Sequence, residues 1–291
     1  MIPAGSCTKA WDSSWSCARR ACCGTITIII KMLQVNQQQI LECLLKVGVR
    51  QGDGVLVHSA LQYFGRPDGG IEIYLNALRA AVGLNNRPPK GTLAVPVFNF
   101  SFARGEEYDP DLAPAVGMGA FSEFFRQQPE AVRTRHPMQS FALIGEHAAE
   151  LAALDTPSAF DDGSAVDRMV RMGFKLLLLG ADVQAASVLH YSEQRVGVPY
   201  RYWKDFSGRV RRAGSWQPVS CRMYVRDLEM DAQLEIYEVE QELRRRGQWQ
   251  SAALHYGQIS LCTLPDFVQA TSDLLRQDPW RFVSNPPEVK E

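Results

Sequence analysis

The chain is expected to adopt an α/β fold, with a mixed or mostly parallel sheet flanked by helices. Three observations carry this expectation. Short apolar runs recur along the sequence, at Val55–Val57, Leu93–Val97, Phe141–Ile144 and Leu176–Leu179. Each run ends at a glycine or a polar cluster. Stretches of helical periodicity lie between them, at Ile71–Val82, Ala120–Arg126 and Ala165–Met172. Runs that are apolar without alternation suit strands covered on both faces, and strands that alternate with helices build a layered sheet.

Composition sets the outer bounds. With 291 residues and 46% hydrophobic content, the chain can bury a large core, as one sizeable domain or two small ones. A formal net charge of −1 exerts no bulk pull on nucleic acid or anionic membrane. A nucleic-acid binder needs a basic domain or a stacking platform, and the sequence has neither. The apolar run from Ile26 to Ile30 is far too short to span a bilayer and lacks the layout of a signal peptide. No membrane partner is expected, and the expected location is cytoplasmic.

Residues 1–31 stand apart and are read as an N-terminal extension. They hold Trp11, Trp15 and four of the seven cysteines (Cys7, Cys17, Cys22 and Cys23), with no periodic apolar face. A disulfide framework would spread its cysteines through the fold, and a zinc site would pair Cys-x-x-Cys motifs or recruit a nearby histidine. Reduced thiols without a structural role fit better. Met32 then opens a single domain, residues 32–291. It begins with a helix that places Ile40, Leu41, Leu44 and Leu45 at helical spacing. Further on, the arginine-rich segment 201–226 reads as a loop and 227–246 as one long charged helix. A last helix over 264–279 is started by Pro265 and Asp266.

In α/β folds chemistry gathers beyond the carboxyl ends of strands. Here the polar residues just past the apolar runs include His58, Ser59, Asn99, Asp182 and His190. The most informative stretch is LLLLGADVQAASVLHYSEQRVGVPYR, residues 176–201. A buried strand runs into Gly180, crosses a short loop and enters a helix near Ser187. His190 falls in its first turn, with Glu193 three residues on and on the same face. The helix dipole there disfavours an imidazolium, and a neutral imidazole is what a general base must be. A surface histidine with an i,i+3 partner is the alternative.

His58 and Ser59 end the buried strand of GDGVLVHSAL, residues 52–61. Ser59 as a nucleophile would take His190 as its base and Asp182 or Glu193 as the orienting acid. The Gly-x-Ser-x-Gly elbow of such hydrolases is absent, so structural hydrogen bonding or cofactor contact fits better. His136 precedes Pro137, which imposes an extended or turn conformation that either lines a pocket or is purely structural. His147 reads as solvated, and His255 is open. No HxxxH or HExxH spacing is present, and no metal is expected.

Several segments, in order, resemble the aminoglycoside 3-N-acetyltransferase family. They are VHSALQYFG (57–65), GTLAVPVF (91–98), YDPDLAPAVGMGAFSEFFR (108–126), TRHPMQSFALIG (134–145), LLLLGADVQAASVLHYSE (176–193) and DFVQATSDLLRQDP (266–279). The likeness runs from about Leu33 to Val283. It implies acetyl-CoA, or another short acyl-CoA, as co-substrate and a primary amine of an amino sugar as acceptor. It implies an α/β fold distinct from the GNAT fold, whose pyrophosphate-binding turn has no convincing copy here. It places the family's histidine on His190 and its glutamate on Glu193. Ser187 then stands where relatives often carry threonine, near the thioester. His58, Ser59 and Leu61 lie beside the pantetheine arm, with His136 and Ser140 on the same side.

An acyl thioester is already activated, so direct transfer needs only a base for the ammonium and donors for the oxyanion. Ser59, Ser187 or backbone N–H groups are candidate donors. The acceptor is less defined. Polycationic aminoglycosides favour pockets lined with carboxylates, whereas the segment beyond the helix carries Arg195, Arg201, Arg209, Arg211, Arg212, Arg222 and Arg226. That is either a solvated charged face or a grip for a phosphate-bearing acceptor such as a nucleotide-linked amino sugar. A serine hydrolase using Ser59 and a non-catalytic CoA-binding protein are the rival classes.

Overall fold

A computed structural model describes residues 33–286. The expected extension, residues 1–31, lies outside the described residues. The described strands are β1 (Gln34–Val35), β2 (Gly54–Ser59), β3 (Arg66–Pro67), β4 (Thr92–Pro96), β5 (Val132–Arg133), β6 (Phe141–Gly145), β7 (Lys175–Leu179), β8 (Arg201–Arg212), β9 (Ser215–Arg226), β10 (Gln250–Leu254) and β11 (Gly257–Thr263). The helices are α1 (Gln37–Val47), α2 (Glu72–Val82), α3 (Gly119–Arg126), α4 (Ala148–Ala153), α5 (Ala165–Arg171), α6 (Leu189–Val196), α7 (Tyr237–Arg245) and α8 (Leu264–Gln277).

Seven strands form one mixed sheet in the order β10-β11-β7-β2-β4-β6-β5. The central strand β2 runs parallel to both β7 and β4, and the outer pairings are antiparallel. Alternation along each strand sends successive side chains to opposite faces. Leu56, Leu176 and Leu178 pack with α4 to α8, whereas Val55, Val57, Leu177 and Leu179 pack with α1 to α3. All seven are essentially without exposure, and each contributes roughly 2 kcal/mol on leaving water. Both faces are therefore covered, which is why the runs read as continuously apolar.

Local chemistry fixes the helix ends. Asn36 and Gln39 form a reciprocal capping box on α1. Thr263 caps α8 by accepting from the Asp266 N–H, with Pro265 in its first turn. No helix among the described residues is long and apolar enough to cross a membrane.

Two expectations are corrected. Segment 201–226 is not a loop but a long antiparallel hairpin, β8–β9, paired from Arg201↔Arg226 to Arg212↔Ser215. Its two-residue turn, Ala213–Gly214, has positive φ at both positions (48° and 78°), as a turn matched to strand twist requires. Alanine in place of the usual asparagine or aspartate hides that signal. Val210 and Cys221 face inward on Phe102, Tyr108 and Met138, while charged residues at the intervening positions mask the alternation. Segment 227–246, expected as one long charged helix, is helical only over Tyr237–Arg245. Asp227 accepts from the Glu229 N–H, an Asx turn that competes with helix formation, and Asp231 adopts a positive φ of 44°.

Gly180 ties the sheet to the loop that follows β7. Its φ is 76°, and an added Cβ would lie 2.4 Å from the Ala60 carbonyl oxygen and 3.0 Å from the Phe64 ring. Gly180→Ala is expected to cost more than about 2 kcal/mol, the sum of left-handed strain and backbone overlap. Urea unfolding measures this directly.

Candidate active site

The register of the parallel core brings two loop mouths together. Ser59 at the end of β2 is level with Leu179 at the end of β7, and the Ala60 N–H donates to the Leu179 carbonyl at 2.9 Å. Beyond Gly180, the Asp182 carboxylate accepts from the Gln184 N–H and starts a 3-10 turn at Val183–Ala185. The chain then passes Ser187 and enters α6, with His190 in its first turn. The buried Ser192 hydroxyl lies 2.6 Å from that of Thr271 on α8. The Tyr191 hydroxyl donates to Asp167 of α5 at 2.6 Å. Helix α6 is thus fixed from two sides.

His190 Nδ1 lies 2.6 Å from Glu193 Oε2. Glu193 has no exposed surface, whereas the His190 side chain is 32% exposed. Burial alone would raise the Glu193 pKa. The Arg201 charge and the hydrogen bond and charge of His190 outweigh it and bring the value to about 2. Glu193 is therefore a carboxylate at any working pH and acts as an acceptor, so the shared proton sits on His190 Nδ1. In the neutral ring the lone pair then lies on Nε2, which makes no hydrogen bond to any described residue. The Phe160 ring meets the imidazole edge-on at 5.9 Å and limits its rotation.

Arg201 completes the cluster. Its Nε lies 2.9 Å from Glu193 Oε2, and its side chain is 9% exposed. Its Nη2 approaches His190 Nδ1 at 3.2 Å, and its Nη1 donates to the Tyr224 carbonyl at 3.2 Å. In the sequence this residue stands only as one of the arginines of a charged segment. No local spacing marks it, because it reaches the site only through the return of the chain after α6.

The remaining sequence-derived positions divide. His58 is buried, and its Nε2 accepts the Ser187 N–H at 3.1 Å, with the Ser187 hydroxyl 2.9 Å away. Burial holds the ring neutral down to about 4. His58 and Ser187 therefore join the two loop mouths. Ser59 is half-buried there and makes no side-chain hydrogen bond to a described residue, and half-buried Leu61 packs on the α1–α3 side of the sheet. Asp182 caps its turn and accepts from Tyr237 at 3.4 Å; it does not orient His190.

His136 is organised differently. Its Nδ1 accepts from the Met138 and Gln139 N–H groups at 3.3 and 3.0 Å, and its Nε2 donates to the Arg222 carbonyl at 3.4 Å. Ser140 has no exposure. Its hydroxyl accepts from Arg133 at 2.8 Å and donates to the Val97 carbonyl at 3.3 Å. Both residues hold the turn before β6 and the hairpin beside it. His147 is partly exposed beside Glu150, and His255 sits in the β10–β11 turn, donating to the Gln34 carbonyl at 2.9 Å.

The arginines prove to be pins. Arg209, Arg211 and Arg212 reach Glu107, Asp109 and Asp155 at 2.8, 2.9 and 2.9 Å. Arg195 reaches Asp167 at 2.9 Å and Arg222 reaches Asp161 at 3.3 Å. Arg226 donates to the Ala232 carbonyl at 3.1 Å. Each binds the hairpin or α6 to the body of the molecule.

A carboxylate-oriented histidine beyond the carboxyl end of a parallel strand is an arrangement for general-base chemistry. Residues 56–276 match the aminoglycoside 3-N-acetyltransferase family, and the chain belongs to it. Over 184 residues it is 34% identical to an aminoglycoside N(3)-acetyltransferase III of Salmonella, covering 59% of this chain and 64% of the relative. The match thus spans just under two thirds of that curated relative. The fold is similar to that of the solved aminoglycoside acetyltransferase AAC(3)-Xa, with a TM-score of 0.76 at 23% identity over 87% of this chain and 96% of the other. It is also similar to AAC-IIIb solved as a binary complex with CoASH, with a TM-score of 0.74 at 22% identity over 88% and 100% of the two chains.

His58 and His136 are both held to about 4 by burial, from an ordinary value of 6.5. The unfolded chain therefore takes up protons that the folded one refuses. Stability is expected to be intact above pH 6.5 and to fall towards pH 4, by roughly 1.4 kcal/mol per unit for each ring. Replacing His136 with Asn should halve that slope. Chemical unfolding across this range is the check, and a flat profile would contradict the neutral buried rings.

Proposed function

We propose that residues 32–291 act as one acyl-CoA-dependent N-acyltransferase domain, moving an acetyl or other short acyl group from CoA to a primary amine of an aminoglycoside. The 3-N position is the expected target, by analogy with the named relatives. The observation that carries this reading is the fully buried Glu193 at 2.6 Å from His190 Nδ1, which leaves Nε2 as a proton acceptor.

His190 Nε2 takes a proton from the acceptor's ammonium. The freed amine forms its C–N bond at the thioester carbon. Glu193 stabilises the imidazolium, while the tetrahedral oxyanion needs a donor. The Ser187 hydroxyl suits that role. His58 Nε2 already takes the Ser187 N–H at 3.1 Å, so the hydroxyl can turn its proton outward at little cost. Collapse breaks the C–S bond, the departing thiolate takes the proton held by His190, and the ring, neutral again, accepts the second proton that the new amide nitrogen must lose before passing it to solvent. Ser59 and Leu61 line the thioester side of the two strand ends, with His58 behind Ser187. His136 and Ser140 support that side through Arg222 and Arg133.

Carboxylates already engage Arg195, Arg201, Arg209, Arg211, Arg212 and Arg222, and a carbonyl engages Arg226, so a phosphate would have to compete for them, which supports the aminoglycoside over a nucleotide-linked amino sugar. The Ser59 nucleophile finds little support, because no hydrogen bond links its hydroxyl to His190.

His190→Ala is expected to lower kcat by roughly 10²–10⁴-fold, read as thiol release from acetyl-CoA with a panel of aminoglycosides. Near-native turnover would refute the base. Mass spectrometry of enzyme incubated with acetyl-CoA alone should find no acetyl adduct. An adduct lost in Ser59→Ala would favour the hydrolase-like route.

A further inference from the structure

We propose that Arg201 is a positioning residue for the transfer reaction: its guanidinium offsets the Glu193 charge beside His190, so that the carboxylate orients the ring without holding it protonated. This inference rests on His190 being the base. A buried carboxylate 2.6 Å from an imidazole nitrogen strongly favours the imidazolium. A base that already carries its proton cannot accept one from an ammonium. Arg201 opposes that protonation from 3.2 Å, keeps its charge at every working pH, and is shielded from salt by its burial. Tyr224 fixes the guanidinium from the other side through its carbonyl.

The remaining charges around the ring cancel. On α6, Arg195 is engaged with Asp162 and Asp167, and Arg171 of α5 holds Asp167 from the other side at 2.8 Å, so two cations meet two carboxylates. Behind Phe160, Asp161 is paired with Arg222. The phenols of Tyr200 and Tyr224 are pushed up, by burial first, and stay neutral. Glu193 and Arg201 are therefore the charges that set the ring's proton balance, one on the catalytic helix and one delivered by the hairpin.

The test compares Arg201→Gln and Arg201→Lys in the full chain, reading kcat/KM against pH with an aminoglycoside acceptor and following the His190 ring nitrogens by NMR without acceptor. In Arg201→Gln the acid limb should move to higher pH by at least one unit, so the ratio of rates at pH 9 and pH 6 rises about tenfold or more. The ring titration should move the same way. Arg201→Lys, which keeps the charge, should hold the limb within about half a unit of native, and it carries the test if the Gln variant does not fold. A loss of rate by one factor at every pH, with the ring titration unmoved, would overturn the proposal. So would a limb displaced as far in the Lys variant as in the Gln variant. An unmoved limb alongside an inactive His190→Ala would sink this inference alone, whereas an active His190→Ala would sink the base reading as well.

Discussion

A carboxylate with no exposed surface, flanked by a guanidinium that is 9% exposed, is the interaction on which the site depends. Moving both charges out of water costs several kcal/mol per ion, and their attraction returns that only when geometry is good. Such a pair is a poor way to gain stability. Its consequence lies elsewhere: Glu193 stays ionised and holds one face of His190, so the ring has a single tautomer and a narrow range of orientation. The other oxygen of Glu193 is buried without a hydrogen-bond partner among the described residues, so the contacts to His190 and Arg201 both fall on Oε2.

The fold supplies this pair from two directions. The parallel core β7-β2-β4 brings the ends of β2 and β7 level, and Gly180 lets the chain turn tightly enough to start α6 beside them. The hairpin β8–β9 then returns Arg201 to the same point. Each of its ion pairs to Glu107, Asp109 and Asp155 keeps at least one side chain exposed to solvent, and each contributes on the order of 1 kcal/mol or less. Together with the Val210 and Cys221 contacts they fix where the hairpin sits, and so where Arg201 points.

Much of this was legible in the sequence, for identifiable reasons. The central strands announce themselves because both faces are covered and no polar residue interrupts them. His190 and Glu193 are three residues apart on one helix, so their meeting follows from helical spacing alone. Arg201 does not share that advantage. It belongs to a hairpin whose solvent-facing arginines obscured its alternation, and whose turn uses Ala213 where a more telling residue is common. The segment 227–236 misled in the opposite sense, because its charged residues suit a helix while Asp227 diverts the backbone into a turn. His136 and Ser140 carried a motif, but only the three-dimensional contacts reveal that their polar atoms are spent on backbone groups and Arg133.

Glu193→Gln tests the central claim most directly, since it keeps the shape of the side chain and removes its charge. If the carboxylate fixes the tautomer and stabilises the imidazolium, kcat for acetyl transfer should fall on the order of 10²-fold or more, with the KM for acetyl-CoA nearly unchanged. A variant that folds normally and turns over within about threefold of the native rate, well short of that loss, would contradict the account.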